Sequence, residues 1–328
     1  MKNRDITIDM VKILCLFYIV FFNHLSNYGN VYTSKYYLSD EITASSLLTL
    51  MFFGSFFFSK KELSCRNILA FYKRRFSRFY ILYFMSIISL IAGGLFVGKN
   101  WFYDNTQIYL SFLGLSAFYK PELPTLWFMS MLMFFYIITP FLQSKNLKFN
   151  LVSTILLFSI ILFFHIIDSL LVDDKILIFL LVYTIGLKLP KNVYKKVKKN
   201  RLVCFFIGFF VFLTLANIKT SELVSIIQIL YAIGFIVMLI SACDILLDKI
   251  HINKFIRLLS YTQLCVYLFH RQIYLIIINV LKLLNIEVTT YILLFVFLPV
   301  CVIISFCIQA LYDISLQKLE YYKKTKSS

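Results

Sequence analysis

The side chains that could do chemistry lie in four places. His24 follows Asn23 at the end of ten unbroken apolar residues, 13–22, and Lys12 precedes that run. On one continuous helix Lys12 and His24 stand about 18 Å apart along the axis. An imidazole within an apolar segment costs desolvation. It is either hydrogen-bonded to another helix or held there for function. In FYKRRFSRFYILYF, residues 71–84, Arg75 and Arg78 are spaced i, i+3 and Arg74 and Arg78 i, i+4. On a helix these guanidinia share a face. Such a pair suits bidentate phosphate binding, while arginines at a helix start also orient a span and snorkel. In LPTLWFMSMLMFFYIITP, residues 123–140, Pro124 and Thr125 read as a helix start. Trp127 then falls at an interface, where the simplest reading is an aromatic anchor. In SYTQLCVYLFHRQIYL, residues 260–275, His270 and Arg271 fall in the middle of an apolar segment. A buried arginine is expensive in lipid and needs a partner or an aqueous cavity. No acidic residue lies deep in an apolar segment to pair it. Asp168, Asp173 and Asp174 flank the expected outer side.

The elements that must position these residues follow from composition. The chain has 328 residues, 60% of them hydrophobic, and a mean hydropathy of +0.82. Soluble domains are about 45–50% apolar, so the solvent for much of this chain is lipid. Apolar blocks recur at 7–27, 42–58, 79–98, 127–144, 151–167, 176–190, 202–218, 223–243, 258–281 and 291–312. The expectation is an all-α integral membrane protein with about ten transmembrane helices. The apolar piece 107–119 is too short to cross.

The loop charges test that count. The two termini and every second loop hold 25 of the 33 lysines and arginines, and the other five loops hold six. This alternation places both termini in the cytoplasm. It also gives the net charge of +17 a topological meaning, so nucleic acid is not an expected partner. The apolar N-terminal run is interrupted at its start by Asp5, Asp9 and Lys12 and reads as a retained first span, not a signal peptide. Seven cysteines without a CxxC, and four histidines without an HExxH, predict neither a disulfide framework nor a metal site. One domain, 1–318, and a short basic tail, 319–328, complete the organisation.

Taken in order, the four features resemble the acyltransferase-3 family of integral membrane O-acyltransferases, of the type that acylates bacterial surface polysaccharides. The family's first helix carries D-x-x-R and, ten residues later, a histidine; here Asp9, Lys12 and His24 stand in those places. Arg75-Phe-Ser-Arg78-Phe-Tyr resembles its R-x-x-R helix, Trp127-Phe128-Met129-Ser130 with Pro140 its W-F-hydroxyl helix, and Tyr267-Leu268-Phe269-His270 a late Y-L-F-H helix. Lys12 keeps the family charge without the guanidinium fork. Eleven residues, not ten, separate it from His24. Either the first helix contains a π-bulge, or Lys12 is not the equivalent cation. Phe52-Phe53-Gly54-Ser55 displaces the glycine of a family F-F-x-S-G loop.

The resemblance implies transfer of an acyl group, usually acetyl, from acyl-CoA as co-substrate to a hydroxyl of a surface polysaccharide or lipid-linked glycan at a bacterial plasma membrane. No permanently bound cofactor is implied. His24 is then the general base. Arg75 and Arg78, with Arg74 and Lys12, hold the donor. Arg271, His270, Trp127 and Asn23 are candidates for the pocket and for stabilising the transition state. Transfer is direct or assisted by a separate extracytoplasmic transferase. A glycan transporter or flippase is the competing class; it would be expected to show an inverted repeat, and none is evident.

Overall fold

A computed structural model describes residues 5–24, 38–56, 58, 67–97, 102, 104–120, 123, 125–143, 147–167, 173–218, 224–250, 253–289 and 292–327. Every regular element among them is helical. Helix α1 (Ile6–Phe17) runs directly into a π-helix (Tyr18–Asn23). Then come α2 (Ser39–Phe56), α3 (Ile68–Val97), α4 (Asn105–Phe112), a short 3₁₀ turn (Ser116–Phe118) and α5 (Leu126–Leu142). α6 (Leu147–Ile167), α7 (Asp174–Lys188), α8 (Lys191–Lys199) and α9 (Arg201–Ala216) follow. α10 (Val224–Lys249), α11 (Asn253–Leu283), a second π-helix (Leu293–Phe297) and α12 (Leu298–Ser327) end the chain.

Each of the ten apolar blocks falls on one of these helices. Six are long and apolar enough to cross a membrane alone: α1 with its π-turn, α3, α6, α10, α11, and α12 with its π-turn. The bent pair α7 and α8 makes a seventh if it counts as one span. α5 and α9 are shorter and α2 is not among these spans, so among the described residues the helices themselves give six or seven crossings and the expected ten rests on the loop charges. The piece 107–119 forms α4 and the 3₁₀ turn, which Ser130 pins to α5. Its hydroxyl donates to the Gly114 carbonyl (2.5 Å) and accepts from the Ala117 amide (3.2 Å).

Burial sorts the helices. α6 and α9 present Leu151, Ile155, Phe163, Phe206 and Phe210 outward, the faces that lipid would cover. α11 is buried along 265–275, enclosed by α1, α3 and α12. Among its polar contacts, Gln272 Nε2 donates to the Ser86 carbonyl of α3 at 3.1 Å. Two glycines bring α9 and α10 into backbone contact. A Cβ on Gly208 would lie 2.7 Å from the Gly234 carbonyl oxygen, so no other residue fits there without parting the helices. Ser55 ties α2 to α7 through the Tyr183 carbonyl (2.8 Å). An acid does occur within a long helix. Asp313 lies one residue beyond the expected end of the last block, on an α12 that continues to Ser327, and accepts from Tyr261 of α11 at 2.7 Å.

Candidate functional site

The site begins with the π-turn of the first helix. The His24 amide donates to the Ile19 carbonyl, a five-residue reach, at 3.0 Å. A wider turn of this kind takes up one extra residue. It absorbs the eleventh residue between Lys12 and His24, so the π-bulge alternative is the one the chain adopts. Asn23 closes the turn and is half-buried, as is His24.

His24 meets His270. Its Nδ1 lies 2.8 Å from His270 Nε2, across 246 residues of sequence. The rings are nearly parallel, 12° apart. His270 is fully buried, and its Nδ1 faces two carbonyl oxygens of its own helix, Tyr267 at 2.8 Å and Val266 at 3.2 Å. Carbonyls only accept, so His270 Nδ1 carries the hydrogen. With both rings neutral, His270 Nε2 is then an acceptor, and His24 Nδ1 must donate to it. The tautomer follows from the hydrogen-bond network. It leaves the lone pair on His24 Nε2, the nitrogen not engaged by His270.

Apolar rings close the surroundings. Tyr274, one helical turn after His270, stacks on Phe297, which also packs against Phe21. Tyr267 meets Phe128, and Trp127, Phe128 and Phe179 pack edge to face. Trp127 is therefore part of the aromatic wall on α5 and α7, and Lys175 Nζ lies 5.7 Å from the centre of its ring.

Arg271, next to His270, is 7% exposed. Its Nε donates to Thr125 Oγ1 at 2.7 Å. The expected helix start is here: Thr125 immediately precedes α5 without its side chain capping it, and Pro124 lies outside the described residues. Thr125 has φ of +76°, a region that costs a β-branched residue energy. That strain aims a hydroxyl at a buried guanidinium. Thr125 was legible as a helix start but not as a partner of Arg271, because nothing in a threonine codon-by-codon reading marks a positive φ.

The second cluster lies on the early turns of α3, at the lysine-rich end. The Arg75 guanidinium carbon stands 4.7 Å from the centre of the Phe58 ring and 5.6 Å from that of Tyr136. Cations favour such faces. Its N–H groups make no hydrogen bond or ion pair among the described residues. The segment is held on both sides: Tyr72 donates to the Ile137 carbonyl of α5 at 2.7 Å, and Tyr312 of α12 donates to the Ser77 carbonyl. Arg74 is exposed and donates back to Ala70 of its own helix at 3.3 Å. Arg78 belongs to α3, but its side chain lies outside the described residues. Lys12 is half-buried on α1, twelve residues before His24. The structure therefore joins His24 to His270, beside Arg271, and places Arg75 and Arg74 apart from them on the early turns of α3.

No group of three metal-ligating side chains occurs among the described residues. No curated protein and no solved structure matches the chain. A family model described as an acyltransferase domain matches residues 5–310, nearly the whole length, and the chain belongs to the acyltransferase-3 family of membrane acyltransferases.

Proposed function

We propose that the protein is an O-acyltransferase that moves an acyl group, acetyl in the simplest case, from acyl-CoA to a hydroxyl of a cell-surface glycan. The observation that supports this best is the chain from His24 Nδ1 through His270 to the Tyr267 carbonyl. It fixes which nitrogen of His24 is basic. This is the arrangement a general base needs, with an orienting partner behind it.

In this reading His24 Nε2 takes the proton of the acceptor hydroxyl. The oxygen attacks the thioester carbonyl, and the C–S bond breaks as the tetrahedral intermediate collapses. The proton on His24 passes to the departing thiolate, so the base is restored. Arg271, fixed by Thr125, is the cation nearest in sequence to His270 and the candidate to stabilise the oxyanion. Arg75, whose N–H groups have no partner among the described residues, would offer them to the donor's phosphates while its flat face rests on Phe58 and Tyr136. The donor's long arm would then lead from that level to His24. Arg78 belongs with Arg75 by spacing. The loop charges support a cytoplasmic donor, and the family resemblance suggests an acceptor at a bacterial plasma membrane.

The test is the O-acetyl content of the host's surface polysaccharide by proton NMR in wild type, deletion, and deletion complemented with His24→Ala. Acetyl signals lost in the deletion and not restored by a membrane-resident His24→Ala protein support the reading. Full restoration by His24→Ala refutes the base. Loss of the glycan itself from the surface would favour the transporter.

A further inference from the structure

A surface at the lysine-rich end is not used by acyl transfer. α7 stops at Lys188, and after Leu189 and Pro190 the chain turns by 86° into α8. α8 therefore runs across the bundle end, not along it. Its inner face is fixed to the first helix. Tyr194 is buried, its ring 5.6 Å from that of Phe56, and its hydroxyl donates to Asp5 Oδ2 at 2.7 Å. Lys198 Nζ reaches Asp244 Oδ1 (2.9 Å), Thr7 Oγ1 (3.0 Å) and Asp5 Oδ1 (3.6 Å). Asp5 also caps α1 by accepting from the Thr7 amide at 3.0 Å.

The outer face is different. Lys191, Lys195 and Lys199 recur at i, i+4, i+8, with Lys196 beside them, and all four are exposed. Among the described residues none of them forms an ion pair. Like charges at this spacing repel, so the face favours an anionic partner. Its level identifies that partner. Val193 is exposed within α8, and Leu202 and Val203 open the outward apolar face of α9 directly after it. The lysines thus stand where an apolar belt gives way to water, the depth of lipid headgroups. Merely orienting a span would require charge in the loop, but neither a regular stripe nor a helix bolted to α1.

We propose that α8 docks anionic phospholipid headgroups through Lys191, Lys195 and Lys199, and that the docked helix steadies the start of α1 through Tyr194 and Asp5. Neither half depends on acyl transfer. The full-length protein in detergent, given equal phosphatidylglycerol and phosphatidylcholine, is read by native mass spectrometry. Wild type should retain phosphatidylglycerol preferentially, with an effect on the order of fivefold for each lysine near a charged surface. K191Q/K195Q/K199Q should lose that preference, and K191R/K195R/K199R should keep it. Equal retention by wild type and the glutamine variant overturns the docking. Displacement of the lipid by inorganic phosphate would also overturn it, in favour of a soluble anion. Hydrogen exchange of the Asp5–Asp9 amides tests the coupling. In nanodiscs it should slow by about threefold or more with phosphatidylglycerol in wild type, and not in Tyr194→Phe. No slowing in wild type refutes the steadying of α1.

Discussion

The two polar levels of this bundle are built on opposite terms. At the level of His24 and His270 the polar contacts are already made: imidazole to imidazole, imidazole to carbonyl, guanidinium to threonine hydroxyl. At the level of Arg75 the cation rests on ring faces, and among the described residues its donors make no hydrogen bond or ion pair. A group that must move a proton needs one tautomer and one direction before substrate arrives. A group that must grip a phosphate needs its donors unspent. On the proposed reading, the first level is preorganised for chemistry and the second is left ready for binding. The contrast predicts different kinetic signatures for the two.

The largest effect should come from His24→Ala. Loss of a general base costs about 10²–10⁴-fold in rate, with helix content by circular dichroism unchanged; an active variant would erase the distinction between the levels. His270→Leu should come next, lowering kcat by about 10–100-fold with little change in KM, because it frees the His24 ring without touching substrate. His270→Gln, which can still present an acceptor to His24 Nδ1, should recover part of that loss. Equal loss in both variants would mean that His270 acts by packing alone. Arg75→Ala should show the reverse split: KM for the acyl donor up by about tenfold, consistent with one or two charge-assisted hydrogen bonds, and kcat nearly unchanged. Arg75→Lys should restore little, since lysine loses the stacked fork.

Thr125 offers a subtler test. Thr125→Ala keeps the positive φ and removes a hydrogen bond to a charged group, for a loss of about 1.5–3 kcal/mol. Thr125→Gly loses the same bond but relieves backbone strain of order 1–3 kcal/mol. Thermal stability should then be near wild type while activity falls as in Thr125→Ala. The smallest effect concerns the outer cap of α7. Burial pushes the Asp173 carboxyl up. The Lys175 amide and the Lys120 and Lys175 ammonium groups outweigh burial and hold it below its usual 3.8. A depressed carboxylate contributes stability above that value and loses it as pH falls through the lower, folded one. Trp127 emission, in a Trp101→Phe background, should hold steady from pH 7 to about 4 and change only below. Asp173→Asn should remove that acid step.

Much of this was legible in the residues. The ten apolar blocks became helices because a lipid solvent leaves the backbone little other choice. The surplus residue between Lys12 and His24, set against the family spacing, left a π-turn as one of two readings, and the helix does contain one. The motif order fixed the family. What could not be read is tertiary. His24 and His270 were separate candidates, and only the packing of α1 on α11 makes them one unit. Phe58 and Tyr136 are unremarkable phenyl and phenol rings until the fold sets Arg75 over them. Thr125 carries its strain in a backbone angle, which side-chain identity does not encode. Arg271 was expected to need a partner, and a threonine 146 positions away was no more visible than any other.

The π-turn at Tyr18–Asn23 has a bearing on how such a sequence is edited over time. A turn with one residue too many reads as an old insertion that was never removed. Excising a single residue there, Phe22 for instance, which already faces outward, would let the helix close into its more regular form. It would also swing the imidazole to another side of the helix, away from His270. If His24 is the base proposed above, the mutation that tidies the backbone is the one that silences it, so the irregularity is the part of the first helix that can least be corrected.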